Sequence, residues 1–190
     1  MVLGEQMETI QLGRGRMVRR AYGIDEIALV PGPRTLDPSL ADTRWKLDHI
    51  EREIPIIASA MDGVVDVKMA IHLSQLGALG VLNLEGIQTR YEDPEPVLDK
   101  IASVGKAEFV GLMQTLYAEP IKPELILRRI EEIKAGGGIA AVSVTPAGAA
   151  RFGDAIAKAN ADLVFVQATV VSTAHLSPEA IVPLDLSDFC

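Results

Sequence analysis

The chain has 190 residues, a net charge of −8, and a composition that is 48% apolar but only 4% aromatic. That length buries one good core, and the negative charge argues against nucleic acid or an anionic membrane as the main partner. A single cysteine, Cys190, excludes an internal disulfide. No apolar run reaches the ~18 residues of a membrane span, so the expectation is a soluble, cytoplasmic globule in a reducing compartment.

Residues 1–33 read as a leader arm followed by a short strand. Arg14, Arg16, Arg19 and Arg20 lie among Gly13 and Gly15. This is the composition of a polar leader, or of an arm that touches a phosphate or a neighbouring subunit. Ile27, Leu29 and Val30 predict a short strand stopped by Pro31-Gly32-Pro33. Residues 34–190 read as one α/β domain. Its opening, 34–53, is charged, and Lys46, His49, Glu51, Arg52 and Glu53 lack metal-ligand spacing. His49 reads as a surface residue.

Ile54-Pro55-Ile56-Ile57-Ala58 is an apolar run led by Pro, without polar alternation. It predicts a strand covered on both faces, around which the other strands are organised. The run then breaks into Ser59, Ala60, Met61, Asp62 and Gly63. Apolar residues at Val67, Met69, Ala70, Leu73 and Leu76 predict a helix stopped by Gly77. Leu79–Asn83 is a second strand, again ending in polar residues: Asn83, Glu85 and Gly86. A helix is expected around Pro94–Val104, and Phe109–Met113 is an apolar run with no assigned place. Leu116–Pro123, with two prolines, reads as irregular. Pro123 opens a helix with a stripe at Ile126, Leu127, Ile130 and Ile133, ended by Gly136-Gly137-Gly138. A strand at Ile139–Pro146, an Ala-rich helix stopped near Asn160, and a strand at Ala161–Thr169 follow.

Repeated strand–helix units with Gly stops are the mark of parallel α/β architecture. They fit either an open doubly wound sheet or a (β/α)8 TIM barrel. A barrel needs about 250 residues, so the expectation for this chain is an incomplete amino-terminal half with about four barrel strands. Asp185–Cys190 resembles the opening of a helix, as in a chain that stops in mid-fold.

No phosphate loop, dinucleotide fingerprint or nucleophile motif is present. The candidate site is positional. Ser59, Asp62, Asn83, Gln167 and Thr169 fall at the carboxyl ends of presumed parallel strands, where ligands of such sheets bind. Polar residues also end buried strands simply because the backbone meets water there. His175, in a later loop, is a weaker acid–base candidate, and Cys190, in a helix-like segment, is rejected as a nucleophile.

Ile24–Pro31 resembles the leader motif of the IMP dehydrogenase/GMP reductase family. Pro55–Asp62, with Ser59-x-Met61-Asp62, resembles that family's first barrel strand, and Leu79–Asn83 its second. Gln114–Leu125 is similar to a segment of the short bacterial IMP dehydrogenase-related proteins, which lack the regulatory CBS pair. The resemblance implies a (β/α)8 barrel in an oxidoreductase of GMP biosynthesis that oxidises IMP to XMP with NAD. In that chemistry a cysteine attacks C2 of the purine, hydride leaves to NAD, and water hydrolyses the thioimidate. It implies that Ser59 and Met61 contact a purine mononucleotide, with Met61 against the purine, and that Asp62 orients them. Asn83 falls near a family His at the mouth of the second strand. Gln167-Ala168-Thr169 aligns with an Asp-Ser-Ser run that contacts the cofactor, with a neutral amide in place of the carboxylate.

The catalytic cysteine loop of the family is absent from these residues, as is the loop that would settle a monovalent cation requirement. The expectation is therefore no turnover by the 190-residue chain alone. A full-length enzyme should carry its glycine-flanked cysteine roughly 70 to 80 residues past Cys190, after two further βα units of ~30 residues each. The resemblance also implies a homo-oligomer, usually a tetramer. The competing readings are a GMP reductase-like enzyme and a catalytically silent nucleotide-binding relative.

Overall fold

The computed structural model describes residues 9–168. The chain divides after Asp42 into two compact units. Thr169, His175 and Cys190 lie outside the described residues.

In the first unit, β1 (Thr9–Leu12) and β2 (Arg16–Arg19) form an antiparallel hairpin. Its turn runs through Gly13, Arg14 and Gly15, all with positive φ. Glycine reaches that region without strain, which is why two of the three positions hold it. Residues 24–26 form a 3-10 turn, and a second one at Pro38–Leu40 is capped by Asp37. The expected strand at Ile27, Leu29 and Val30 does not form. Leu29 and Val30 are almost fully exposed, and a lone apolar triplet without a pairing partner gains nothing from extension.

The second unit opens with an antiparallel hairpin, β3 (Trp45–Leu47) and β4 (Ile50–Arg52). Four parallel strands follow: β5 (Ile57–Ala58), β6 (Leu79–Asn83), β7 (Ala141–Val144) and β8 (Leu163–Val166), hydrogen-bonded in that order. The connections carry the helices. They are α1 (Val67–Gln75), α2 (Glu95–Ser103), α3 (Lys106–Ala118), α4 (Pro123–Ala135) and α5 (Pro146–Lys158). Sequential parallel strands joined by helices are the (β/α)8 pattern, with four of its strands among the described residues.

Three of these helices end in the same way. Gly77, Gly137 and Asn160 take positive φ just past α1, α4 and α5. The next amide reaches back five residues each time: Ala78 to Leu73, Gly138 to Ile133 and Ala161 to Ile156. This left-handed C-cap turns the chain sharply into β6, β7 and β8. Arg52 adds hydrogen bonds to the carbonyls of Ser74 and Ala78, closing the end of α1.

The two central strands, β6 and β7, are buried on both faces. Leu82, Val142 and Val144 pack with Ile126, Ile130, Ile133, Phe152 and Ile156 of the helices. Leu79, Val81 and Ala141 form a second cluster with Trp45, Ala60, Leu163 and Phe165. Strand side chains alternate between faces, so Asn83 continues the row of Leu79 and Val81 toward the carboxyl edge. Helix α1 sits very close to β6 because Gly80 has no side chain. A Cβ there would lie 3.0 Å from Ala70 Cα.

Two further expectations need correction. The run at 54–58 is not a doubly covered central strand. It contributes only Ile57–Ala58, at the edge of the sheet, with Ile56 and Ile57 about half exposed. Strand order is a tertiary property, and no neighbour pairs on its outer side among the described residues. The apolar run Phe109–Met113 lies inside α3, and that helix continues through Ala118. Helix α3 is apolar nearly all round, so it shows no stripe to announce itself. Among the described residues, no helix is long and apolar enough to cross a membrane.

Candidate active site at the carboxyl ends of the strands

The chain leaves β5 through a tight turn. Ser59 O accepts from Met61 N at 2.8 Å, and Met61 O accepts from Val64 N at 2.8 Å and Val65 N at 3.0 Å. The turn leaves Ser59 and Met61 exposed and draws Asp62 inward, half-buried. Asp62 Oδ2 accepts from Ile87 N at 2.9 Å and from the Tyr117 hydroxyl. Its Oδ1 faces the Asn83 amide, with Nδ2 at 3.4 Å. Asn83 Oδ1 accepts from Glu85 N at 3.0 Å, which turns the chain at the end of β6. Thus Asp62 and Asn83 meet, one from each of two adjacent strand ends.

The third donor comes from far along the chain. Tyr117 sits on the last turn of α3, and two main-chain clasps fix that turn. Arg90 donates to Glu119 O and, at 3.0 Å, to Glu85 O. Tyr91 donates its hydroxyl to Leu116 O at 3.0 Å. The Arg90 guanidinium also stands 5.4 Å from the centre of the Tyr117 ring. Burial, then the hydrogen bond and negative charge of Asp62, hold the Tyr117 phenol well above the ordinary tyrosine range, with Arg90 acting weakly the other way. Tyr117 is therefore a permanent donor at any physiological pH.

Glu85 extends the rim to β7. Its carboxylate accepts from Thr145 N at 2.5 Å and from Thr145 Oγ1 at 3.0 Å. Thr145 in turn caps α5 by accepting from Gly148 N at 3.1 Å. A carboxylate at a helix N-terminus is electrostatically favourable. Gln167, just past β8, anchors its backbone N–H on Val144 O at 2.8 Å and leaves its side chain exposed beside Ala168. Because all four strands are parallel, Ser59, Met61, Asp62, Asn83, Gln167 and Ala168 share one end of the sheet. The β3–β4 hairpin serves the opposite end, where Trp45 Nε1 donates to Ile54 O at 2.8 Å.

His49 is exposed and bonded to its neighbour Asp48, as expected of a surface residue. Among the described residues, no group of three or more His, Cys, Asp or Glu side chains is placed to hold a metal. Sequence reasoning missed Tyr117, Arg90 and Thr145 as members of the rim. Glu85 and Gly86 were visible as a polar strand end, but nothing in their spacing pointed to Asp62.

Parallel strands hydrogen-bonded in chain order, helical crossovers and a polar rim at the carboxyl ends are those of part of an α/β barrel. The chain matches the IMP dehydrogenase / GMP reductase domain model over residues 21–179, and it belongs to that family. It is 33% identical over 185 residues to an uncharacterized oxidoreductase of Mycolicibacterium smegmatis, covering 95% of this chain and 49% of that protein. It is 31% identical over 102 residues to inosine-5'-monophosphate dehydrogenase of Methanocaldococcus jannaschii, covering 54% of this chain and 19% of that one. Among solved structures it resembles an IMP dehydrogenase/GMP reductase-like protein from Corynebacterium glutamicum, with a TM-score of 0.75 and 30% identity over 88% of this chain and 46% of that one. The chain spans about half the length of the mycobacterial relatives it matches.

Proposed function

We propose that this chain supplies the nucleotide-gripping part of a purine-mononucleotide oxidoreductase that converts IMP to XMP with NAD. The observation that carries the reading is the rim itself. Ser59 and Met61 stand exposed on a turn whose Asp62 is pinned by three donors, at the end of the sheet where barrel ligands bind. An exposed hydroxyl and a thioether suit a purine nucleotide. The hydroxyl can bond ribose or phosphate, and the polarizable sulfur packs on the flat base. Asp62 is saturated by donors and acts on the nucleotide by fixing the turn.

NAD would supply hydride acceptance when bound. Gln167 and Ala168 fit the nicotinamide side only as neutral contacts, an amide for a carboxamide or ribose hydroxyl beside a small residue. The nucleophile would come from outside residues 1–190. On this reading residues 1–190 alone give no NADH from IMP and NAD, and a longer protein that carries the nucleophile does.

The assay of the full-length protein with IMP and NAD, run against GMP and NADPH, tests this. NADH formation supports the reading, consumption of NADPH with GMP replaces it by the reductase, and no turnover with either pair refutes both. The neutral Gln167 favours one further alternative, a silent nucleotide-binding relative. That protein would bind IMP in a calorimeter and turn over neither pair. A homotetramer of the full-length protein in the cytoplasm accompanies the main reading.

A further inference from the structure

Two of the three donors on Asp62 come from the strand end that carries Asn83 and from the amide of Ile87 just beyond it. The third, Tyr117, lies 55 positions away on α3, a helix that packs mainly on α2. The phenol is not loosely placed. Main-chain carbonyls on either side of it, at Leu116 and Glu119, are clasped by Tyr91 and Arg90. A ring needed only to fill space would not have its hydroxyl aimed at a carboxylate beneath the exposed turn of Ser59 and Met61.

We propose that Tyr117 is a positioning residue of the nucleotide site: through Asp62 it holds the 59–63 turn in the one conformation that presents Ser59 and Met61 to the purine. This deepens the function proposed above and rests on it. The phenol stays protonated, so the hydrogen bond is present across the working pH range. Helix α3 thereby becomes part of the substrate site without touching substrate.

The test uses the full-length protein and reads IMP binding by calorimetry, together with KM and kcat. Tyr117→Phe deletes one oxygen and keeps the ring. The expected result is IMP binding weaker by about three- to tenfold, as for a hydrogen bond to a charged group felt through one intermediary. KM should rise in step while kcat changes little. Asp62→Asn should weaken binding similarly, and adding Tyr117→Phe to it should cost nothing more, because the two act as one unit. If Tyr117→Phe lowers the melting temperature but leaves IMP affinity at the wild-type value, Tyr117 is only a clasp for α3 and the proposal fails. Additive losses in the double variant also overturn it.

Should Tyr117→Phe not fold, meta-fluorotyrosine in the wild-type sequence provides the second measurement. The fluorine resonance of residue 117 should shift when IMP binds, and an unmoved resonance sinks the proposal. Wild-type protein that binds neither IMP nor GMP removes the functional reading itself, and this inference with it.

Discussion

Gly86 and Asp62 are packed so tightly that a methyl group on the glycine would lie 1.9 Å from Asp62 Oδ1. The backbone of Gly86 is extended, with φ −98°, so its lack of a side chain answers to space and not to conformation. Gly86→Ala should therefore keep the main chain and expel the carboxylate. The bonds to Ile87 N and Tyr117 would be lost together. We expect a stability loss of about 1–3 kcal/mol by urea unfolding, with IMP affinity falling as in Asp62→Asn. Unchanged stability and affinity would show that the carboxylate relocates without consequence.

Arg129 is 5% exposed and turns its Nε and one terminal nitrogen to the segment after the rim. It donates to the carbonyls of Gln88 at 2.9 Å, Tyr91 at 3.2 Å and Glu92 at 2.6 Å, and pairs with Glu132 at 2.9 Å. Arg129→Met leaves three carbonyls without that donor and should cost about 3–5 kcal/mol. Arg129→Lys should rescue little, because an ammonium cannot reproduce the planar fork. Since Arg90 and Tyr91 clasp α3, the same variant should also loosen Tyr117, read as faster amide exchange at residues 87–91.

Glu132 gives the acid limb of stability a definite sign. Partial burial pushes its carboxyl up, but hydrogen bonds from Arg129 and Arg128 and their charges outweigh that and hold it below the ordinary glutamate value of 4.5. A carboxyl depressed in the folded state contributes stability that is complete above the unfolded value and lost as pH falls through the folded one. Unfolding free energy should therefore decline below about pH 4.5. Glu132→Gln should flatten that part of the profile. An unchanged slope in the variant would remove Glu132 from the account.

The close approach of α1 to β6 makes Gly80 a volume test. Its missing side chain faces Ala70 Cα at 3.0 Å and Leu73 Cδ1 at 3.1 Å. Gly80→Val should push α1 off the sheet and cost about 1–3 kcal/mol. A variant as stable as wild type would mean that the contact relaxes freely.

Much of this architecture was legible in the residues. The stripe at Ile126, Ile130 and Ile133 and the stops at Gly77, Gly137 and Asn160 are local signals, and the helices begin and end where they indicate. Strands β6, β7 and β8 announce themselves as apolar runs with polar ends. What was not legible is tertiary. Nothing near Ile57 says that its strand lies at an edge, and nothing near Phe109 separates a helix that is apolar on all sides from a strand. Asp62 and Asn83 could be nominated because both end strands. Tyr117 could not, since the contact that matters crosses 55 positions and depends on where Arg90 and Tyr91 hold the end of α3.

The position of a bound purine nucleotide is the decisive observation. A crystal structure of the full-length protein with IMP decides it. The base should lie against the Met61 thioether with Ser59 on its ribose or phosphate, and Asp62 should remain bonded to Tyr117 and Ile87. IMP seated at the opposite end of the strands, beside the Trp45 hairpin, or bound with Ser59 and Met61 untouched, would contradict it.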